Sequence, residues 1–161
     1  MARVVAGLAA ASATVGVVFL LGMRANAPAV VDRVRRFNRA FTNPRVLRTA
    51  GAPSASASLI RHVGRSTGRS YETPIGAIPT DDGFVVALPY GSRADWLKNV
   101  LTGGSATIVH EGTTYRVDAP VVVRTADLAS QLPAGEAALL RLFNVDQCLR
   151  LRRTPEHVDS A

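Results

Sequence analysis

Between Gly64 and Arg69 the chain reads Gly-Arg-Ser-Thr-Gly-Arg, two glycines bracketing two hydroxyls, with a guanidinium after each glycine. Backbone amides, hydroxyls and fixed positive charge on so short a loop can converge on one anion, which makes the segment a candidate phosphate loop. A solvated basic hairpin is the ordinary alternative for such a composition. Gly64 to Gly68 also matches the Gly-x-Ser-x-Gly of a hydrolase elbow, but that motif requires a helix directly after it. Here Tyr71-Glu72-Thr73-Pro74 reads as extended chain, so the match is accidental. No Walker sequence and no Gly-x-Gly-x-x-Gly dinucleotide fingerprint occurs.

Other chemistry-bearing residues are sparse. Trp96 and Asn99 lie three apart on an expected helix and share a face. Core packing with one satisfied amide is the ordinary reading of that pair. His62 and His110 fall in expected strands with no partner at ligand spacing, which points to structural roles. Cys148 is the single cysteine and sits in an apolar strand, as a small buried hydrophobe does. One thiol forms no disulfide scaffold, and its spacing from the histidines forms no zinc site.

The elements that must position these residues fall after Ser58, where the pattern turns strand-like. Leu59–Val63, Pro74–Ile78 and Phe84–Leu88 are expected strands, the last two joined through Thr80-Asp81-Asp82-Gly83, whose Asp-Gly step signals a tight hairpin. Ala106–His110 and Thr114–Val117 flank Glu111-Gly112-Thr113 as a second hairpin. Val121–Arg124 continues beyond Pro120, which marks an edge or a bulge. A helix over Arg93–Leu101, with Ser92 and Asp95 as its capping pair, stops at Gly103-Gly104. Another begins near Ala134 and leads to a last strand at Gln147–Arg152. Short, locally connected antiparallel strands favour a small barrel or sandwich over a doubly wound sheet.

The chain has 161 residues, 47% of them hydrophobic, which allows one compact domain and an appendage. Its formal net charge is +7, and all the basic residues except Lys98 are arginine, so the preferred partner is anionic. From Val4 to Met23 no charge occurs, a run of about 30 Å as a helix, enough to cross a bilayer. A secretory signal peptide is the rival reading, with Ala25-Asn26-Ala27 resembling a cleavage site, but Arg24 and Pro28 oppose it. Arginines 24, 33, 35, 36 and 39 follow the segment, and the positive-inside bias then leaves the body in the cytoplasm. Residues 28–48 have the pattern of a basic amphipathic helix, suited to anionic headgroups or to packing on the domain, and 50–58 reads as a linker.

The order of the pieces is more specific than any one of them. His62-Val63-Gly64-Arg65-Ser66-Thr67-Gly68-Arg69, then Tyr71-Glu72-Thr73-Pro74, then Val85-Val86-Ala87-Leu88-Pro89-Tyr90-Gly91, then Asp95-Trp96-Leu97-Lys98-Asn99-Val100 resembles the deazaflavin-dependent nitroreductase family. The resemblance covers roughly residues 58–153; Ser66 stands where the family often carries a second basic residue. It implies an α+β fold, a split β-barrel of the FMN-binding type with helical insertions, here following an N-terminal hydrophobic helix. The resemblance does not reach the apolar N-terminus; with that segment read from its own pattern, the expected organisation is a membrane anchor over 1–24, a basic helix and linker over 25–57, a deazaflavin-binding barrel over 58–153 and a tail over 154–161.

The implied cofactor is coenzyme F420, with FMN as the alternative. By similarity Arg65, Ser66, Thr67, Gly68 and Arg69 hold its anionic phosphate and tail, and Thr73, Pro74 and Ile75 line the ring system. Leu88, Pro89, Tyr90 and Gly91 run beside the ring, while Asp95, Trp96 and Asn99 brace the pocket. The implied activity is hydride transfer from the reduced cofactor to an unsaturated acceptor such as a nitroaromatic or a quinone, with Tyr90 the first candidate proton donor and Tyr71 the second. A membrane anchor favours a lipophilic acceptor, contacted from the N-terminal segment and the 139–144 region. Two rival functions are a non-catalytic F420 carrier or sensor and a basic membrane-tethered anion-binding module. Nucleic acid is not an expected partner, because the few aromatics form no stacking platform.

Overall fold

The computed structural model describes residues 46–89, 91–128 and 130–154. The expected anchor, the arginine-rich stretch before residue 46, Tyr90 and the tail after Thr154 lie outside the described residues. Among the described residues no helix is long and apolar enough to cross a membrane.

In chain order the strands are β1 (Ser58–Val63), β2 (Ser70–Ile75), β3 (Ala77–Thr80), β4 (Gly83–Ala87), β5 (Ser105–His110), β6 (Thr113–Arg124) and β7 (Gln147–Arg153). Helix α1 (Asp95–Gly103) lies between β4 and β5, and a 3₁₀ turn (Thr125–Leu128) and helix α2 (Ala134–Leu142) lie between β6 and β7. One sheet of seven strands results, in the order β2-β1-β5-β6-β7-β4-β3, with every neighbouring pair antiparallel.

Connectivity dictates the shape of this sheet. β2 and β3 occupy opposite edges, yet Gly76 alone separates Ile75 from Ala77. Laid flat, the edge strands would be about 29 Å apart at about 4.8 Å per strand, whereas two residues of chain reach no more than about 7 Å. The sheet must therefore curl until its edges meet at Gly76. No ladder joins β2 to β3 among the described residues, so the curled sheet is a half-barrel. The expected strand Pro74–Ile78 is thus two strands with a corner between them.

Burial follows the two faces. Phe84, Val86, Leu149 and Leu151 project into a first core with Ile60, Ile108 and Val117, capped by Leu97 and Val100 of α1. Val85 and Cys148, on the other face of the same strands, join Leu132, Ala137, Leu140 and Val145 beneath α2. β4 is accordingly buried on both sides, which explains its continuous apolar run Phe84-Val85-Val86. Leu140→Ala is expected to cost about 2–4 kcal/mol of stability and to leave anion binding at the Gly64–Arg69 loop unchanged. Denaturant titration and ligand titration of the same variant check both halves of that statement.

Turn chemistry sets the registers. His110 pairs with Thr113, and the two residues between them, Glu111 (φ 48°) and Gly112 (φ 79°), both take positive φ, the signature of a type I′ hairpin. Gly112 N–H also donates to Gly51 C=O at 2.6 Å, and Gly51 N–H to Ala57 C=O at 2.8 Å. The expected linker is therefore docked on this hairpin. In the other hairpin Thr80 pairs with Gly83, so Asp81-Asp82 is the turn and Gly83 is already strand. β6 carries a bulge between Asp118 and Val121, with Ala119 at φ 48°, as Pro120 suggested. Helix α1 begins two residues later than its sequence pattern suggests: Ala94 is the N-cap and no side chain caps it, so Ser92 does not serve that role. Its expected end holds, with Gly104 in the left-handed conformation at φ 70°.

Candidate functional site

The Gly64–Arg69 loop joins β1 to β2 at one end of the half-barrel. Gly64 N–H donates to Arg69 C=O at 2.8 Å, and Thr67 and Gly68 N–H donate back to Gly64 C=O at 3.2 and 2.8 Å. Arg69 N–H reaches Thr67 Oγ1 at 3.4 Å, and Arg65 N–H reaches Asn99 Oδ1 at 3.2 Å. Ser66 is thus the only loop residue whose amide has no partner among the described residues. The expected cradle of backbone amides is not formed, because the amides close the turn on itself. A Cβ on Gly64 would lie 2.5 Å from Thr67 Oγ1 and 2.6 Å from the Tyr71 ring, so a side chain at this hinge displaces both.

Side chains on α1 hold the loop. Asp95 and Asn99 are four apart and therefore share a helical face, with Asn99 buried alongside Leu97 and Val100 and Asp95 exposed. Arg65 Nη1 donates to Asn99 Oδ1 at 2.8 Å and to Asp95 C=O at 3.3 Å, and Nη2 pairs with Asp95 Oδ1 at 3.1 Å. The ion pair is open to water, with Asp95 70% exposed, and such pairs contribute at most about 1 kcal/mol. Its effect is geometric, fixing the loop against the helix. The guanidinium has five N–H donors, so Nε–H and one Nη2 proton stay available. Arg69 has no side-chain partner among the described residues.

A polar chain runs inward from this clamp. Asn99, 8% exposed, places Nδ2 3.3 Å from His62 Nδ1, and His62 Nε2 lies 3.3 Å from Thr73 Oγ1. The Tyr71 ring stacks on the imidazole at 5.9 Å between centroids and 20° between planes, and its hydroxyl lies 3.1 Å from Thr67 Oγ1. Burial holds His62 below the ordinary value of 6.5, opposed by a hydrogen bond with the Val63 backbone, so the ring is neutral at neutral pH. The pairing His62↔Tyr71 and Ile60↔Thr73 explains the cluster, because alternate residues of β1 and β2 face the same side.

The structure therefore joins Arg65, Thr67, Thr73, Tyr71, Asp95 and Asn99, with Ser66, Gly68 and Arg69 on the same loop. Ile75 and Leu88 are core residues, and Trp96 packs half-buried against that core. Pro74 pairs with Leu59, one step along the pleat from Thr73, and so faces the other side of the sheet. Gly91 closes a turn onto Leu88 C=O at 2.9 Å, and Pro89 is half-buried; no hydrogen bond or ring contact ties either to the loop among the described residues. Tyr90 lies outside the described residues. His62 is the participant that sequence reasoning set aside as structural; its position two residues before Gly64, facing inward with Ile60, was the available signal.

The remaining polar candidates are structural. His110 Nδ1 pairs with Ser58 Oγ at 2.8 Å and packs edge-on to Phe84. Cys148 is buried, and burial raises its thiol pKa against an opposing Thr125 hydrogen bond. No cluster of three or more metal-ligating side chains occurs among the described residues. A shallow cleft of about 480 Å³ opens beside the base of the loop, bordered by Val63, Ser70, Arg61 and Arg116.

No family model matches the chain, and no curated protein matches it. Among solved structures, an F420 reductase aligns at 10% identity with a TM-score of 0.42, covering 66% of this chain and 91% of its own. A second structure aligns at 13% identity with a TM-score of 0.41, covering 68% of this chain and 76% of its own. Likenesses this loose add nothing to the fold read from the strand order, and function has to rest on the site itself.

Proposed function

We propose that this chain binds a deazaflavin coenzyme of the F420 type and acts as an oxidoreductase toward an unsaturated, lipophilic acceptor such as a quinone or a nitroaromatic. One observation carries the reading: Arg65, Thr73, Asp95 and Asn99, the separated members of the motif order that resembles the deazaflavin-dependent nitroreductases, meet in one hydrogen-bonded cluster. A solvated basic hairpin has no reason to engage a helix 30 residues away. The residues present suit an anionic cofactor. Ser66, Arg69 and the spare N–H groups of Arg65 can hold phosphate or carboxylate oxygens, and no atom lies within 4 Å of where a Cβ would stand on Gly68.

When bound, the cofactor supplies the hydride chemistry. The chain's own work is to orient the ring against the inner face of β1 and β2, to exclude water there, and to hold a proton at Tyr90, or failing that at the Tyr71 hydroxyl. The uncharged run from Val4 to Met23 is proposed to hold the chain at a membrane with its body in the cytoplasm, next to a lipophilic acceptor. Release of the full-length chain by carbonate extraction would reject that anchor.

Titration of the full chain with oxidised F420 and with FMN, followed by fluorescence quenching, tests the reading. Tighter binding of F420, with turnover of its reduced form in the presence of a quinone, is expected; binding without turnover would leave a carrier, and no binding would remove both. Arg69→Ala is expected to weaken F420 at least about tenfold, since charge-assisted contacts contribute roughly 1.5–3 kcal/mol. Arg36→Ala should leave affinity unchanged. Equal losses at the two positions would indicate diffuse electrostatics and a basic anion-binding module.

A further inference from the structure

We propose that His62 is a positioning residue that makes the Thr73 hydroxyl an obligate hydrogen-bond donor to the ligand, so that the site selects a heterocycle presenting a carbonyl oxygen or an unprotonated ring nitrogen at that point. The inference rests on the reading of the site as a deazaflavin pocket and assigns to one of its residues a task that the motif resemblance does not.

The direction of every bond in the chain follows from its outer end. Arginine can only donate, and both the backbone N–H and Nη1 of Arg65 meet the same atom of Asn99. That atom must be the carbonyl oxygen, since rotating the amide would set an NH₂ group against two N–H donors. The Asn99 amide nitrogen therefore faces His62 and donates to Nδ1. A ring nitrogen that accepts carries no proton, so the single proton of the neutral imidazole sits on Nε2 and points at Thr73 Oγ1. Thr73 receives that bond with a lone pair. Its own proton has no acceptor among the described residues, and its side chain lies on the inner face of β2, half-buried beside Ile60. The hydroxyl is left with one bond to give.

Burial holds His62 in this state against the Val63 backbone bond, which favours the charged ring. Tyr71 of β2 covers one face of the ring. From the loop, the Arg65 cation is bonded to the same amide that serves Nδ1, and Asp95 of α1 tempers that charge without reaching the ring. Arg61 and Glu72 pair with each other on the opposite face of β1 and β2, by the alternation that sends His62 inward. A protonated imidazole would carry N–H at both nitrogens, and Nδ1–H would confront the Asn99 NH₂ group. Ligand binding should therefore be complete at and above the ordinary histidine value of 6.5 and fall as pH drops through the depressed one.

The variants separate donor from bulk. Thr73→Val keeps the shape and removes the hydroxyl, and is expected to weaken oxidised F420 about tenfold or more, whereas Thr73→Ser restores it. His62→Gln keeps an amide donor near the Nε2 position and cannot titrate, so it should bind F420 with a flat profile between about pH 5 and 8. His62→Asn reaches only the Nδ1 position and should bind as weakly as Thr73→Val. Long-range ¹H–¹⁵N correlation spectra of the free full chain should show the Nε2–H tautomer at His62. A Nδ1–H or charged ring near pH 7, or wild-type affinity in Thr73→Val, overturns the proposal while the deazaflavin reading stands. Failure of the wild-type chain to bind F420 overturns both.

Discussion

Asn99→Leu is expected to lower the stability of the fold by about 1–3 kcal/mol and to abolish F420 binding. Leucine fills a similar volume in a position that is 8% exposed, so loss of packing is small and the change isolates the amide. What it strands is specific. The Arg65 backbone N–H and one Nη1 proton lose their acceptor, and His62 Nδ1 loses its donor. The buried imidazole left without its donor costs roughly 1–3 kcal/mol, while Arg65, which is exposed and keeps its bonds to Asp95, takes water in place of the amide and adds little. The midpoint of thermal unfolding should fall on the order of 5 °C. Asn99→Asp discriminates further. A carboxylate still accepts from Arg65 but cannot donate to Nδ1, so the imidazole must turn its proton around or take a second one. Stability should then suffer less than in Asn99→Leu, while F420 affinity falls as it does in Thr73→Val. Equal stability of wild type and Asn99→Leu would show that the amide is wet and that the chain from Arg65 to Thr73 has no structural weight.

The legible parts of this molecule were those governed by local chemistry. Alternation in Leu59–Val63 and Ala106–His110 announced strands because one face of each is buried, and Gly103-Gly104 announced the end of α1 because only glycine takes φ 70° without strain. Gly112, at φ 79°, marked a hairpin for the same reason, with Glu111 beside it also at positive φ. The corner at Gly76 was hidden, since a single glycine between Ile75 and Ala77 reads as continuous strand until both halves are known to lie at opposite edges. His62 was hidden more deeply. Its partners are 11 and 37 residues away, so no spacing rule could find them before the sheet and helix were docked. The loop carried the right composition for an anion site and the wrong expectation for its amides: turning from β1 to β2 in six residues consumes most of them internally, and recognition is left to side chains.

Gly83→Ala is expected to be the most disruptive single methyl in the described fold, costing about 3–5 kcal/mol. The Asp-Gly step suggested that Gly83 serves a turn, but it is the first residue of β4 and pairs with Arg152 of β7. A Cβ there would stand 2.0 Å from Leu151 C=O and 2.9 Å from Arg152 Cα. Both are backbone atoms, so no rotamer change relieves the contact and the two strands must part by more than about 1 Å at van der Waals distance. That movement cannot be local. Phe84 and Leu151, adjacent in the same ladder, are buried at 1% and 0% exposure, and Arg153 N–H is bonded to Asp82 C=O at 2.8 Å across the same end. Gly68→Ala is the control. It also changes a glycine beside a strand, at φ 64° with nothing within 4 Å, and should cost only the roughly 1–2 kcal/mol of a left-handed alanine. Urea unfolding of the two variants against wild type reads the difference directly. A smaller loss at Gly83 than at Gly68 would mean that β4 and β7 are not in close backbone contact at this end, and with that the curl of the sheet around its first core would have to be redrawn.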